Sequence, residues 1–196
     1  MLTLFHAPRS RSTRIIWLLE ELGVPYQLRY VTIRYRDGSG DGPDAANPHP
    51  DKKVPALLDD AILVTESAAV ATYLADQADG AGLAPWIGDR DRGPYLTWLS
   101  WIEGEFGPAI GARLGAPEAD PEPAFTAAVA RIERALAEGP WLLGERFSAA
   151  DVMLGATLAW AQHLMPRDGA IPAYLARLSQ RPAFQRAMTR DAVPAA

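Results

Sequence analysis

The spacing of apolar residues changes once along this chain, near residue 80, and that change limits the folds open to it. Before it, runs with the strand period of 2 alternate with runs of the helix period; after it only the helix period remains. Leu2–His6 is an apolar run of strand length, ended by Ala7-Pro8. Thr13–Leu22 places Ile15, Ile16, Leu18, Leu19 and Leu22 at core spacing with Glu20 and Glu21 exposed, and Gly23 and Pro25 stop that helix. Tyr26–Ile33 alternates and predicts a second strand. The opening is therefore a βαβ unit, whose crossover is nearly always right-handed. Tyr35–Lys53, with its Gly, Asp and Pro clusters, reads as a long loop. Ala56–Leu58 and Ile62–Val64 around Asp59-Asp60 form a hairpin. Thr65-Glu66-Ser67 then opens a helix with the stripe Ala69, Val70, Tyr73 and Leu74. After a linker at 80–89, helices are expected at Arg90–Arg113, Phe125–Glu138, Ala149–His163, Ile171–Ser179 and Pro182–Thr189. Mixed elements followed by helices alone mean two modules of different class, 1–79 and 90–196.

Composition excludes several chemistries. The 196 residues contain no cysteine, so disulfides, thiolate zinc sites and attack by a protein thiol are ruled out. His6, His49 and His163 share no ligand spacing, which argues against a metal site. A net charge of −5 argues against nucleic acid as a partner. No apolar run reaches the roughly 18 residues that span a bilayer, and no leader pattern opens the chain; a cytoplasmic protein is expected. Residues 1–56 carry eight Lys and Arg against six Asp and Glu, the remainder eleven against eighteen, so a small anion is better received by the first module.

Two places in the first module can do chemistry. Pro55 stands at the start of a strand that should be central, where a trans proline would break the ladder. A cis Val54-Pro55 bond instead turns the Val54 backbone toward a ligand. Glu66 and Ser67 stand at a helix N-terminus, where unpaired N–H groups and the helix dipole receive a carboxylate. Glu66 can hold an ammonium beside it, so the pair suits an α-amino-acid head group; helix capping is the plainer alternative. In the second module Ser148-Ala149-Ala150-Asp151 is a capping box, a folding device.

These residues, in this order, resemble the cytosolic glutathione S-transferase family. The resemblance runs from His6-Ala7-Pro8-Arg9-Ser10-Arg11-Ser12-Thr13-Arg14 through Lys53-Val54-Pro55-Ala56-Leu57 and Thr65-Glu66-Ser67-Ala68 to Trp141-Leu142-Leu143-Gly144 and Phe147-Ser148-Ala149-Ala150-Asp151. It implies a thioredoxin-like N-terminal domain (βαβ-ββα, a mixed four-stranded sheet) and an all-α C-terminal domain that supplies a co-substrate pocket. It implies glutathione as co-substrate, no metal, and a homodimer joined through the helix after Ser67 and the long helix after Arg90. Val54, presented by Pro55, would pair with the cysteinyl backbone of glutathione. Glu66 and Ser67 would hold the γ-glutamyl head, and Lys53, with Lys52, would face the glycyl carboxylate. Many relatives have Gly in place of Lys52.

The implied activity is conjugation of the glutathione thiolate to a small hydrophobic electrophile, as in detoxification. Two alternatives are a glutathione-dependent peroxide or disulfide reductase without a protein thiol, and a non-catalytic interaction module. A thiol of ordinary pKa near 8.5 is only a few per cent ionised at neutral pH, and one charge-assisted hydrogen bond of roughly 1.5–3 kcal/mol lowers that pKa by one to two pH units. Ser10 falls where serine-type members place their catalytic hydroxyl. Ser12 is the second candidate and otherwise a natural N-cap, and backbone N–H groups are the third. Trp101, Glu105, Phe106, Ile110, Arg113 and His6 to Arg9 are candidates for the co-substrate pocket, whereas Trp98, Leu99 and Ile102 are expected to pack inward or at the dimer seam.

Overall fold

The apolar run Leu2–His6 forms β1, and its length sets the extent of the sheet. β1 pairs in parallel with β2 (Tyr26–Tyr30), from Leu2 opposite Tyr26 to His6 opposite Tyr30. The alternation that suggests a strand to Ile33 therefore outruns its partner: β1 ends at His6, and the ladder ends with it. The hairpin forms as β3 (Ala56–Asp59) and β4 (Ile62–Thr65), giving the order β2-β1-β3-β4 with β3 antiparallel to both neighbours. This is the expected mixed sheet of a thioredoxin-like domain. The computed structural model describes residues 1–116 and 122–192.

Helix α1 (Thr13–Leu22) follows β1 and buries Ile15, Ile16, Trp17, Leu18 and Leu19. Gly23 ends it at φ 67°, a left-handed conformation in which its N–H reaches the Leu19 carbonyl. Helix α2 (Ser67–Gln77) buries Val70, Ala71, Leu74 and Ala75, so its core stripe is rotated from the expected one: Ala69 is exposed, and Tyr73 turns its hydroxyl to Asp59.

The chain divides into two compact units whose bounds differ from the expected 1–79 and 90–196. One unit comprises Met1–Ala81 and the segment from Pro182 onward; the other is Gly82–Arg181. The last helix, α8 (Pro182–Asp191), belongs with the sheet and not with the helices before it. Phe184 meets the edge of Trp17 at 5.0 Å, and Ala183 and Ala187 are buried. Glu20, expected to be exposed, is covered by α8: its carboxylate accepts hydrogen bonds from Arg186 (2.7 Å) and Tyr26 (2.8 Å) and pairs with Arg190 at 3.2 Å.

The second unit contains α3 (Arg92–Trp101), α4 (Gly107–Gly115), α5 (Pro123–Ala137), α6 (Ala149–Trp160) and α7 (Ala170–Ser179). The expected helix Arg90–Arg113 carries one wide turn, Ile102–Phe106, where the Gly107 N–H reaches back five residues to Ile102. Pro108 explains it: proline has no N–H for the Gly104 carbonyl, and its ring would strike that carbonyl in a regular helix. Trp101, Phe106 and Ile110, candidates for a pocket, are instead buried in the core, and so are Trp98, Leu99 and Ile102. The Arg131 guanidinium lies over Trp98 and Trp101 at 4.9 and 4.5 Å. On the first turn of α7, Glu133 of α5 accepts the Ala170 and Ile171 N–H groups; a Cβ on Gly169 would come within 2.9 Å of that carboxylate.

Helix α6 is buried nearly all round, as the central helix of such a unit must be. Its start is the expected capping box: the Ser148 N–H donates to Asp151 at 2.9 Å, and that carboxylate also accepts from the Leu142 N–H and the Tyr174 hydroxyl. Burial pushes the Asp151 carboxyl up to about 6 despite these hydrogen bonds. The unfolded value lies near 3.9, so this group's contribution to stability is complete below about pH 4 and is lost as pH rises through 6. Asp151→Asn cannot titrate. The unfolding free energy of the wild type relative to Asp151→Asn should therefore rise, by on the order of 3 kcal/mol, as pH falls from 7 to 4. A difference that stays flat across that range would contradict the account.

Candidate functional site

The strand register brings three separate segments to one end of the sheet. Phe5 pairs with Ala56, and Ala56 pairs with Thr65. The segments that continue from these positions are the loop after β1, the loop before β3 and the start of α2. They meet around a cavity of about 250 Å³ lined by Arg11, His49, Lys53, Val54, Pro55, Glu66 and Ser67. The Val54-Pro55 bond is cis. A larger groove of about 610 Å³ lies in the helical unit near Trp160, His163 and Arg167, and it contains none of the expected site residues.

The start of α2 is built open. No side-chain hydrogen bond caps it, and its first turn carries no acidic residue. Ser67 is buried, whereas Glu66 is exposed at the N-cap position with φ 65° and ψ 125°. For a residue with a Cβ, such a conformation costs of order 1–3 kcal/mol and persists only where the surroundings impose it. Glu66 and Ser67, at the start of α2, both line the cavity. That combination accepts a carboxylate and an ammonium together.

The loop before β3 is held by Asn47, which is fully buried. Its amide nitrogen donates to the Lys53 carbonyl (2.9 Å), and its amide oxygen accepts the His49 N–H (3.0 Å). His49 Nδ1 accepts the Asp51 N–H, which leaves Nε2 as the proton-bearing nitrogen of the neutral ring. The two lysines part company here. Lys53 reaches the cavity wall and pairs loosely with Asp51 at 3.5 Å. Lys52 turns its ammonium back onto the Asn47 carbonyl at 2.6 Å and does not line the cavity. Its backbone sits at φ 55°, a conformation glycine adopts without cost. His49 is a cavity residue that the sequence did not single out. The Asn47-Pro48-His49 stretch carried a usable signal, since an Asn two residues before a His can order its backbone.

The loop after β1 holds Ser10 and Ser12, and neither lines the cavity; Arg11, between them, does. Ser12 does occupy the residue before α1, but it does not cap the helix. Its side chain is fully buried and meets His6 Nδ1 at 2.8 Å and Ser10 Oγ at 2.7 Å. The hydroxyl is turned inward because a fully buried imidazole nitrogen requires a partner. Ser10 is half-buried, and its hydroxyl can donate either to the Ala7 carbonyl at 2.6 Å or to Ser12 Oγ at 2.7 Å. His6, expected at the co-substrate pocket, is fully buried, and burial lowers its pKa from the ordinary value. Among the described residues no group of His, Asp and Glu could hold a metal ion, and no helix is long and apolar enough to cross a membrane.

The same fold recurs in known proteins. The glutathione S-transferase N-terminal domain model matches residues 9–77, and the C-terminal domain model matches residues 122–190. Glutathione S-transferase GstA of Escherichia coli O157:H7 is 31% identical, over 96% of this chain and 98% of that protein. Disulfide-bond oxidoreductase YfcG of Escherichia coli K12 is 26% identical, over 97% and 95% of the two chains. The structure of a sphingomonad glutathione S-transferase complexed with glutathione matches with a TM-score of 0.79 at 28% identity, over 96% and 98% of the two chains. A full-length relative at this identity, together with both domain models, shows that the chain belongs to the glutathione S-transferase family.

Proposed function

We propose that this protein is a glutathione transferase that adds the glutathione thiolate to a small hydrophobic electrophile. The observation that carries the reading is the uncapped, strained start of α2 facing Val54 and Lys53 across one cavity. The γ-glutamyl carboxylate docks on the Ser67 N–H and hydroxyl, and its ammonium on Glu66. The Val54 backbone pairs with the cysteinyl residue, and Lys53 faces the glycyl carboxylate. This orientation sends the thiol toward the loop after β1, where Ser10 is the leading hydroxyl and Ser12 the second. No protein thiol takes part, and no metal is required.

The likeness to a disulfide-bond oxidoreductase favours one second reading. Because the chain has no cysteine, both thiols of such a reaction come from glutathione: two glutathiones reduce one disulfide to two thiols and leave as glutathione disulfide. Parallel assays with a chromogenic aryl halide and a small dialkyl disulfide separate the two. Faster turnover of the disulfide would favour the second reading. We also propose a homodimer joined through α2 and α3, so light scattering at micromolar concentration should give twice the mass of one chain; the mass of one chain would refute it.

Calorimetry should report glutathione binding at micromolar to millimolar affinity. Ser67→Ala should weaken it by roughly tenfold, the loss of one charge-assisted hydrogen bond. No heat from the wild type at saturating glutathione would defeat the reading. Glu66→Gly should unfold at a higher temperature than Glu66→Ala, by about 1 kcal/mol in stability, since only glycine relieves the positive φ. Both should lose affinity. Ser10→Ala should raise the pKa of the bound thiol by about one to two pH units and lower kcat/KM at neutral pH roughly 10–100-fold.

A further inference from the structure

The buried groups behind Ser10 form a continuous chain that ends on the last helix. Ser10 Oγ lies 2.7 Å from Ser12 Oγ, and Ser12 Oγ lies 2.8 Å from His6 Nδ1. On the other side of the ring, Nε2 meets the Asp191 backbone carbonyl at 3.1 Å and the Asp191 carboxylate at 3.5 Å. The same carboxylate accepts the Arg9 N–H and the Thr13 hydroxyl, so α8 is fixed to the loop by both ends of that residue. Tyr30 also meets the ring, edge-on at 5.5 Å, and its hydroxyl donates to the carbonyls of Arg190 and Ala192.

Hydrogen-bond bookkeeping assigns the protons. A carbonyl only accepts, so Nε2 carries the single proton of the neutral ring and Nδ1 is bare. Burial favours that neutral ring. Ser12 must then donate to Nδ1, and its oxygen is left to accept from the Ala7 N–H and from Ser10. The one Ser10 hydrogen has two acceptors within reach, the Ala7 carbonyl at 2.6 Å and Ser12 Oγ at 2.7 Å; when it is on Ser12, every donor in the chain points inward, from Ser10 to Ser12 to His6. Ser10 is the half-exposed end, next to Arg11 at the cavity, and His6 is the sealed end.

We propose that this chain carries the proton of the glutathione thiol to His6. The step rests on the glutathione reading above. The S–H bond breaks and its electron pair stays on sulfur. That proton goes to Ser10 Oγ, the Ser10 proton to Ser12 Oγ, and the Ser12 proton to His6 Nδ1. After transfer every hydroxyl has reversed: the imidazolium donates to Ser12, Ser12 to Ser10, and Ser10 to the thiolate. Ser10 therefore accepts from the thiol before the step and stabilises the thiolate after it. The Asp191 backbone carbonyl and carboxylate offset part of the cost of a buried imidazolium, and the thiolate at the other end supplies further stabilisation, as in other imidazolium–thiolate pairs. His6 and Asp191 act through Ser10 and Ser12, and position the proton without touching the substrate.

The test uses the full-length protein with imidazole nitrogen-15 labelling. S-methylglutathione, which has no thiol proton, is the control ligand. At neutral pH the free protein should show His6 protonated on Nε2 alone. Glutathione should add a proton at Nδ1, in step with the ultraviolet absorbance of the thiolate, and S-methylglutathione should bind without doing so. Ser12→Ala breaks the relay in the middle: it should keep glutathione affinity within about twofold, raise the bound-thiol pKa by about one pH unit or more, and leave His6 neutral. A thiolate that forms while His6 stays neutral, or a Ser12→Ala protein that ionises the thiol like the wild type, would overturn the relay and leave direct hydrogen bonding by Ser10 as the route. If calorimetry shows that neither ligand binds, the glutathione reading itself fails and the relay falls with it.

Discussion

Two strand pairings fix everything that the candidate site depends on. β3 runs antiparallel to β1 with Ala56 opposite Phe5, and antiparallel to β4 with Ala56 opposite Thr65. One residue, Ala56, thereby ties together the end of β1, the start of β3 and the end of β4. A slip of one residue in either pairing would turn Val54 or Ser67 to the other face of the sheet. The cavity at this end of the sheet is a consequence of register, and the side chains around it only select what enters.

The protein has helix starts of opposite design. The N-terminus of α6 is closed: Asp151 and Ser148 satisfy the first N–H groups from within the chain, and the Asp151 carboxylate also receives Leu142 and Tyr174. The N-terminus of α2 is uncapped and its preceding residue is strained. A capped helix start is a folding element, and an uncapped one beside a cavity is a receptor for an anion. Helix α1 is a third case. The serine before it turns away from the helix because a buried imidazole requires it. The same residue type at the same position therefore does different work according to what lies behind it.

Much of this was legible in the sequence. Period and punctuation located β1, α1, the hairpin and α2 to within a few residues, because each is a local pattern. Val54-Pro55 and Glu66-Ser67 were legible as two separate places, and only the family resemblance joined them into one expected site. What could not be read depends on contacts far apart in sequence. The end of β2 was set by the length of β1. Glu20 looked like a solvated helix residue until α8, more than 160 residues later, covered it with two arginines. Ser12 read as a cap because its partner, His6, belongs to the strand before the turn. Lys52 and Lys53 are adjacent and alike in sequence, but a positive φ at Lys52 sends their ammonium groups to different places.

The most direct measurement is a crystal structure of the protein with glutathione. The account predicts one glutathione at the end of the sheet. Its γ-glutamyl carboxylate should lie about 2.7–3.1 Å from the Ser67 N–H, its cysteinyl backbone opposite Val54, and its sulfur nearest Ser10. A glutathione bound in the opposite direction, with the glycyl carboxylate at Ser67, or seated in the groove beside Trp160, would contradict it.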